Sequence, residues 1–189
     1  MIEWLFVPGA YFIGSISSAI IICRLMGLPD PREHGSGNPG ATNVMRFGGK
    51  KAAAITLLGD LLKGLIPVYI ANLSGVSVEL LAMIGLAAFM GHLYPVFFKF
   101  KGGKGVATSI GVLLGFSWLL GVAFIGTWLL IYKIGKISSV SALCASLISP
   151  VYAWFIVGDV SIVGASTVMM VFLLWRHKSN IQRLLAGEE

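Results

Sequence analysis

Charge is scarce in this chain. Only 12% of its 189 residues are charged and 57% are hydrophobic, against roughly 25% charged in an ordinary soluble domain. A chain of this size keeps much of its surface outside its own core. With so few charges to cover that surface, the surrounding solvent must be lipid, which excludes a soluble enzyme and leaves no basis for a nucleic-acid partner. Cysteine is nearly absent as well. Cys23 and Cys144 lie in or at the edge of apolar stretches without metal-ligand spacing, so they read as small buried thiols, and no metal site is expected. The opening Met1-Ile2-Glu3-Trp4 lacks a basic n-region and a small-residue cleavage pattern, so the first apolar stretch reads as a membrane helix and not as a removable signal.

What the chain has in quantity is apolar runs, together with 24 glycines, which suit close helix packing and loops folded around a ligand. The runs cover about residues 2–23, 52–71, 80–98, 106–132, 138–157 and 161–175. Most approach the ~20 residues a bilayer core requires. The run from Val106 to Lys133 is too long, roughly 40 Å as a single helix. Gly115, Gly121 and the intervening Phe116-Ser117-Trp118 offer a place to turn back.

The basic residues decide between one long tilted span and a hairpin. With a hairpin and the N-terminus outside, every one of the 14 lysines and arginines except Lys63 falls on the cytoplasmic side, and the outer side keeps only Glu3, Glu79 and Asp159. With one span, Lys133, Lys136, Arg176, Lys178 and Arg183 would lie outside, against the positive-inside bias. The expected architecture is therefore an all-α integral membrane protein, a single unit over residues 1–189 with seven transmembrane helices, N-terminus outside and C-terminus cytoplasmic. The shortest helices require local bilayer thinning or a partly immersed turn. The polar segments 32–46, 98–108 and 176–189 then emerge on one face and can build one site.

The first segment runs from Arg32 to Arg46. Gly35, Gly37 and Gly40 permit positive φ, so successive N–H groups can converge on an anion, while Ser36, Thr42 and Asn43 add side-chain donors. Arg46 offers a bidentate fork for phosphate. A well-capped interhelical loop has the same composition. The second segment, Lys99-Phe100-Lys101-Gly102-Gly103-Lys104-Gly105, leads into the helix starting at Val106. Free N–H groups at a helix start, reinforced by Lys99, Lys101 and Lys104, suit an anion. A topology anchor would need the lysines but not Gly102, Gly103 and Gly105. It is neither a Walker A loop nor a dinucleotide fingerprint, because Gly105 follows Lys104 and the third glycine is missing. In the third segment, a last helix continuing to Leu185 would put His177, Asn180 and Leu184 on one face; an amphipathic surface tail is the alternative. Within the spans, Asp60 and Lys63 read as an intrahelical pair. His92, ahead of Tyr94 and Pro95, reads as a packing histidine that could help shape the second loop.

On these residues the chain resembles the acyl-phosphate:glycerol-3-phosphate acyltransferases, the PlsY family of bacterial membranes. The resemblance is carried by Gly14-Ser15-Ile16-Ser17-Ser18, Ser36 through Asn43 with Arg46, Gly91-His92 through Pro95, Lys101 through Thr108, and His177 with Asn180 before Arg183. It implies a multi-pass protein of the bacterial inner membrane, with its active site facing the cytoplasm and no metal or bound cofactor. The implied reaction transfers an acyl chain from acyl phosphate to the 1-hydroxyl of sn-glycerol 3-phosphate, forming lysophosphatidate and phosphate. Ser36, Arg46, Lys104, His177 and Asn180 are then the expected catalytic residues. Gly37, Asn38, Gly40, Thr42, Asn43, Lys101, Gly102, Gly103 and Gly105 are expected to bind phosphate.

The residues agree with that expectation in what they lack. None of His34, His92 or His177 has an Asp five positions on, the dyad that soluble-domain acyltransferases of the same pathway resemble one another in. A mixed anhydride already carries a good leaving group, so the site has chiefly to hold two anionic phosphates together and bring a hydroxyl to a carbonyl. The reading from another class, a membrane transporter of phosphorylated solutes, predicts paired repeats, and neither glycine-rich motif recurs. A scaffold for other lipid enzymes would tolerate substitution in the loops. Membrane lipids are the expected surroundings; chain-length preference and oligomeric state leave no mark in the sequence.

Overall fold

The computed structural model describes residues 2–188; Met1 and Glu189, the two ends of the expected unit, lie outside them. Among the described residues there is no strand. The helices are α1 Phe6–Gly14, α2 Ser18–Leu25, α3 Ala41–Leu73, α4 Val78–Leu93, α5 Val106–Phe116, α6 Trp118–Gly135, α7 Ser138–Ile156, α8 Val160–Arg176 and α9 Lys178–Leu185, with short 3-10 turns at Ile2–Leu5 and Val96–Phe98. Four of these stretches are long and apolar enough to cross a membrane, or up to six if each of two bent pairs counts as one span.

The two bent pairs depart from the continuous helices read from sequence. The first run bends by 42° between α1 and α2, and the last bends by 56° between α8 and α9, at His177. Ser15-Ile16-Ser17 needs no proline to break because the freed Ile16 carbonyl accepts from Lys63 Nζ at 2.8 Å. In α3 the break is at Gly49, whose φ of 77° lies in the left-handed region. The helix begins already at Ala41, so Thr42, Asn43 and Arg46 are helical, where the sequence suggested loop.

The overlong run is indeed two helices. Ser117 is extended between α5 and α6 (φ −157°, ψ 130°), and the chain folds back on itself. A Cβ on Gly121 would fall 2.9 Å from the Leu114 Cα, whereas in a straight helix those residues stand roughly 10 Å apart. The freed Gly115 carbonyl accepts from Asn72 Nδ2 at 3.0 Å. With only 11 residues, α5 is shorter than an unthinned bilayer core requires. It is buried, and its backbone lies against α3. A Cβ on Gly111 would meet the Leu61 carbonyl at 2.1 Å, and one on Gly64 the Thr108 carbonyl at 2.3 Å. Small residues at a crossing permit such approach.

Around this pair the layers are graded. Of an 18-residue apolar stretch within Val78–Phe98, which carries α4, 61% of the residues are buried within the protein, against 17% in α6. The core gathers Ile84, Phe89 and Leu93 of α4, Leu113 of α5, Leu120 and Phe124 of α6, and Ile162, Met169 and Leu173 of α8. Leu129, Leu130, Ile134, Trp154 and Phe155 face outward, as residues of a lipid-facing belt do. Asp159 caps α8, its carboxylate accepting from Ser161 N at 2.8 Å and Ile162 N at 3.3 Å.

Candidate active site

The second polar segment is folded hard against the end of α4. Lys99 and Phe100 take left-handed backbone (φ 56° and 58°), and the chain returns so that Gly103 N–H donates to the His92 carbonyl at 3.2 Å. A Cβ on Gly102 would lie 2.1 Å from that carbonyl, and one on Gly103 only 2.2 Å from His92 Nε2. Gly105, at φ 96°, precedes the first turn of α5 and presses on Phe89. These glycines are thus required by the protein beneath the loop, whereas the sequence pointed only to a ligand above it. His92 is accordingly the loop's support, a role its position in the sequence only hinted at.

The third segment locks the loop from the other side. Arg176 donates from Nη2 to the Gly102 carbonyl at 2.8 Å and from Nε to the Gly103 carbonyl at 3.2 Å. Lys104 Nζ donates to Asn180 Oδ1. His177 sits at the bend with its Nδ1 2.8 Å from the Leu173 carbonyl. Since a carbonyl only accepts, Nδ1 carries the hydrogen. His177 and Asn180 are both buried. Beyond the 56° bend Asn180 meets the loop at Lys104, where the straight helix expected from the sequence would only have aligned it with His177 and Leu184; neither His177 nor Asn180 lines the cavity described below.

The first segment is a pre-formed loop. Asp30 and Arg32 form a two-toothed ion pair, with Nη2–Oδ2 at 2.6 Å and Nε–Oδ1 at 3.0 Å. The Arg32 guanidinium hydrogen-bonded to Asp30 holds that carboxyl below the usual carboxylate range. Asn43 is buried and fully committed: it donates to the Pro31 and His34 carbonyls, each at 2.9 Å, and accepts the Ser36 N–H at 2.8 Å. It is therefore a staple beneath the loop, and the expectation that it offers donors to an anion is corrected. The Ser36 N–H is likewise spent. Of the three glycines expected to turn with positive φ, Gly35 (62°) and Gly37 (68°) do so and Gly40 (−152°) is extended.

The three segments meet around a cavity of about 260 Å³ lined by Ser36, Gly37, Asn38, Gly102, Lys104, Trp175, Arg176, Lys178 and Ser179. Lys104, Arg176 and Lys178 line it and no carboxylate does, so its field favours anions. Ser36, Gly37, Asn38, Gly102 and Lys104 are where the sequence reading needs them; Gly103 and Gly105 lie beneath, packed on α4. Exposed Arg46, Thr42 and Lys101 stand outside the lining, as does Gly40. Arg176 is not among the site residues the sequence singles out, since a basic residue at the end of an apolar run equally suits a topology anchor. Next to this cavity, sharing Trp175, is a second of about 250 Å³, lined by Tyr94, Val171, Phe172 and Trp175.

A helical membrane protein with a cationic cleft opening beside an apolar one is built for an amphiphile with an anionic head. The family model for glycerol-3-phosphate acyltransferase matches residues 4–187. The glycerol-3-phosphate acyltransferase of Methylococcus capsulatus is 57% identical over 188 residues, covering 100% of this chain and 95% of the relative. That of Hydrogenovibrio crunogenus is also 57% identical, covering 100% of this chain and 90% of the relative. Two crystal structures of PlsY (YgiH), an integral membrane glycerol 3-phosphate acyltransferase, match with TM-scores of 0.95 and 0.93 at 38% and 37% identity. One is its glycerol 3-phosphate form and the other its lysophosphatidic acid form, and each match covers 100% of this chain and 94% of the other. The chain belongs to the glycerol-3-phosphate acyltransferase family of PlsY type.

Proposed function

We propose that this membrane acyltransferase takes its acyl chain from an acyl phosphate and transfers it to the 1-hydroxyl of sn-glycerol 3-phosphate, forming lysophosphatidate for phospholipid synthesis. The observation that carries the reading is the pair of cavities joined at Trp175, one cationic and one apolar. An acyl phosphate has one end for each. Its phosphate lies on loop 101–105 and Lys104, its chain passes between α4 and α8, and the carbonyl falls between them. Ser36 and Arg46 complete the charge clamp once substrate is bound, the exposed Arg46 side chain swinging inward. His177 and Asn180 orient the glycerol phosphate.

In the reaction the 1-hydroxyl oxygen attacks the carbonyl carbon, and the bond from that carbon to the bridging phosphate oxygen breaks. Phosphate leaves with the electron pair, and the hydroxyl proton passes to a phosphate oxygen of the substrate. His177 Nδ1–H is directed at a neutral carbonyl, which orients the ring without tuning it as a carboxylate would. Orientation and charge neutralisation supply the rate. The chain crosses the bacterial inner membrane seven times, with α5 as the short crossing, the N-terminus outside, and the cleft and C-terminus in the cytoplasm. The basic residues favour this arrangement, and so does the fold-back at Ser117.

Mass spectrometry of products from purified protein tests the donor. Acyl phosphate with glycerol 3-phosphate gives lysophosphatidate without added metal, and acyl-CoA at the same concentration gives none; efficient transfer from acyl-CoA would contradict the proposal. Single cysteines at Gly49 and Lys136 of a cysteine-free variant stay shielded from an impermeant thiol reagent in intact cells, while one at Gly75 reacts. Labelling at 136 from outside would contradict the orientation.

A further inference from the structure

One buried ionisable cluster takes no part in the chemistry above. Asp60 and Lys63 on α3 and His92 on α4 are 3%, 6% and 6% exposed. Lys63 Nζ lies 2.8 Å from Asp60 Oδ1 and reaches the broken first span at Ile16. Charges within a span are costly, and a buried ion pair is weak grounds for stability, since apolar replacement of both partners is often neutral or better.

His92 stands between this pair and the anion loop. Its Nδ1 faces Asp60 Oδ1 at 3.7 Å, just beyond a hydrogen bond, and has no hydrogen-bond partner among the described residues. The opposite edge of the ring, Nε2, lies where a Gly103 Cβ would be, and the His92 carbonyl takes the Gly103 N–H. On the far side of the loop, Thr108 Oγ1 at the start of α5 donates to the Asp60 carbonyl at 2.9 Å. Both ends of the loop are thus referred to one turn of α3.

We propose that Asp60 and His92 are positioning residues for the phosphate loop. The carboxylate, fixed by Lys63, draws in the His92 Nδ1–H by a shift of under an ångström. The ring so held sets the height and tilt of Gly103 and hence the aim of Lys104 beside it. The inference rests on the reading that loop 101–105 holds a substrate phosphate. Groups that orient a metal ligand from behind change affinity or activity by about ten- to a hundredfold, and a group behind a phosphate loop is expected to have similar leverage.

The test is the steady-state kinetics of the full-length protein in detergent or vesicles, with acyl phosphate and glycerol 3-phosphate varied in turn. The variants are His92→Ala and the charge-neutral double Asp60→Asn with Lys63→Met. Both are expected to melt near the wild type and to raise KM for one of the two phosphorylated substrates by about tenfold or more. Lys104→Ala raises KM for the same substrate. Wild-type KM values in either folded variant overturn the proposal. So does failure of both variants to fold, which would make the cluster a folding element. Lys104→Ala separates this from the reading beneath it. If that variant also keeps both KM values, the loop does not hold phosphate; if it alone raises one, only the positioning role fails.

Discussion

Two turns in this molecule have nearly the same composition and different surroundings. Lys99–Gly105 joins α4 to α5, and Lys133-Ile134-Gly135-Lys136 is the last turn of α6 with its left-handed cap, just ahead of α7. Each mixes lysine with glycine, and each places non-glycine residues in left-handed backbone: Lys99 and Phe100 in one, Lys136 in the other. Around Gly102, Gly103 and Gly105 a side chain would strike His92, Pro95 or Phe89, whereas around Gly135 there is nothing within 4 Å. Lysine and glycine therefore do not by themselves make an anion site. What distinguishes the first turn is that α4 supports it from below and α8 and α9 clasp it from the side.

Substitutions at matched positions sharpen the contrast. Gly103→Val has the largest effect. Its branched side chain enters the space of the His92 ring, displacing the loop by an ångström or more, and activity falls on the order of a hundredfold, while Gly135→Ala stays near wild type in the same acyl-transfer assay. Lys104→Ala removes a charge-assisted contact to phosphate of about 1.5 to 3 kcal/mol, a ten- to hundredfold loss or somewhat more in kcat/KM. Near-normal activity in both loop variants, with folded protein, would return the segment to the status of a topology anchor.

A smaller effect belongs to the first loop, where Asp30 has its carboxyl held low by Arg32. A carboxylate with a lowered folded pKa contributes stability that is present above its unfolded value of about 3.9 and is lost as pH falls through the lowered one. The melting difference between wild type and Asp30→Asn is then constant from neutral pH to about pH 5, worth at most about 1 kcal/mol for a part-exposed pair, and vanishes in stronger acid. A difference that grew on acidification would contradict the pairing. Smallest of all is Lys133→Ala, expected to change kcat/KM by less than about twofold.

The helical architecture was legible because bilayer thickness fixes the length of apolar runs, and the break at Ser117 because flanking glycines and the count of basic residues both required it. The gathering of three segments followed from their shared side. The bends at Ser15–Ser17 and at His177 were not legible. The first is stabilised by Lys63, far along the chain, and the second lies in a stretch that alone reads as continuous helix. Asn43 looked like a ligand residue because nothing in its neighbours reveals that its amide closes the loop upon itself. Arg176 escaped notice, and His92 was no more than hinted at, for a related reason: each acts on Gly102 and Gly103 through contacts that only the packing of α4 and α8 creates.

The account stands or falls on whether segments distant in sequence act as one site, and the contact between Lys104 and Asn180 tests that most directly. The measurement is a double-mutant cycle on kcat/KM with Lys104→Ala, Asn180→Ala and the pair, each confirmed folded. Groups sharing one phosphate site are coupled, so the double variant loses less than the product of the single losses, by a coupling of about 1 kcal/mol or more. Losses that simply multiply, with a coupling below about 0.3 kcal/mol, would contradict a shared site.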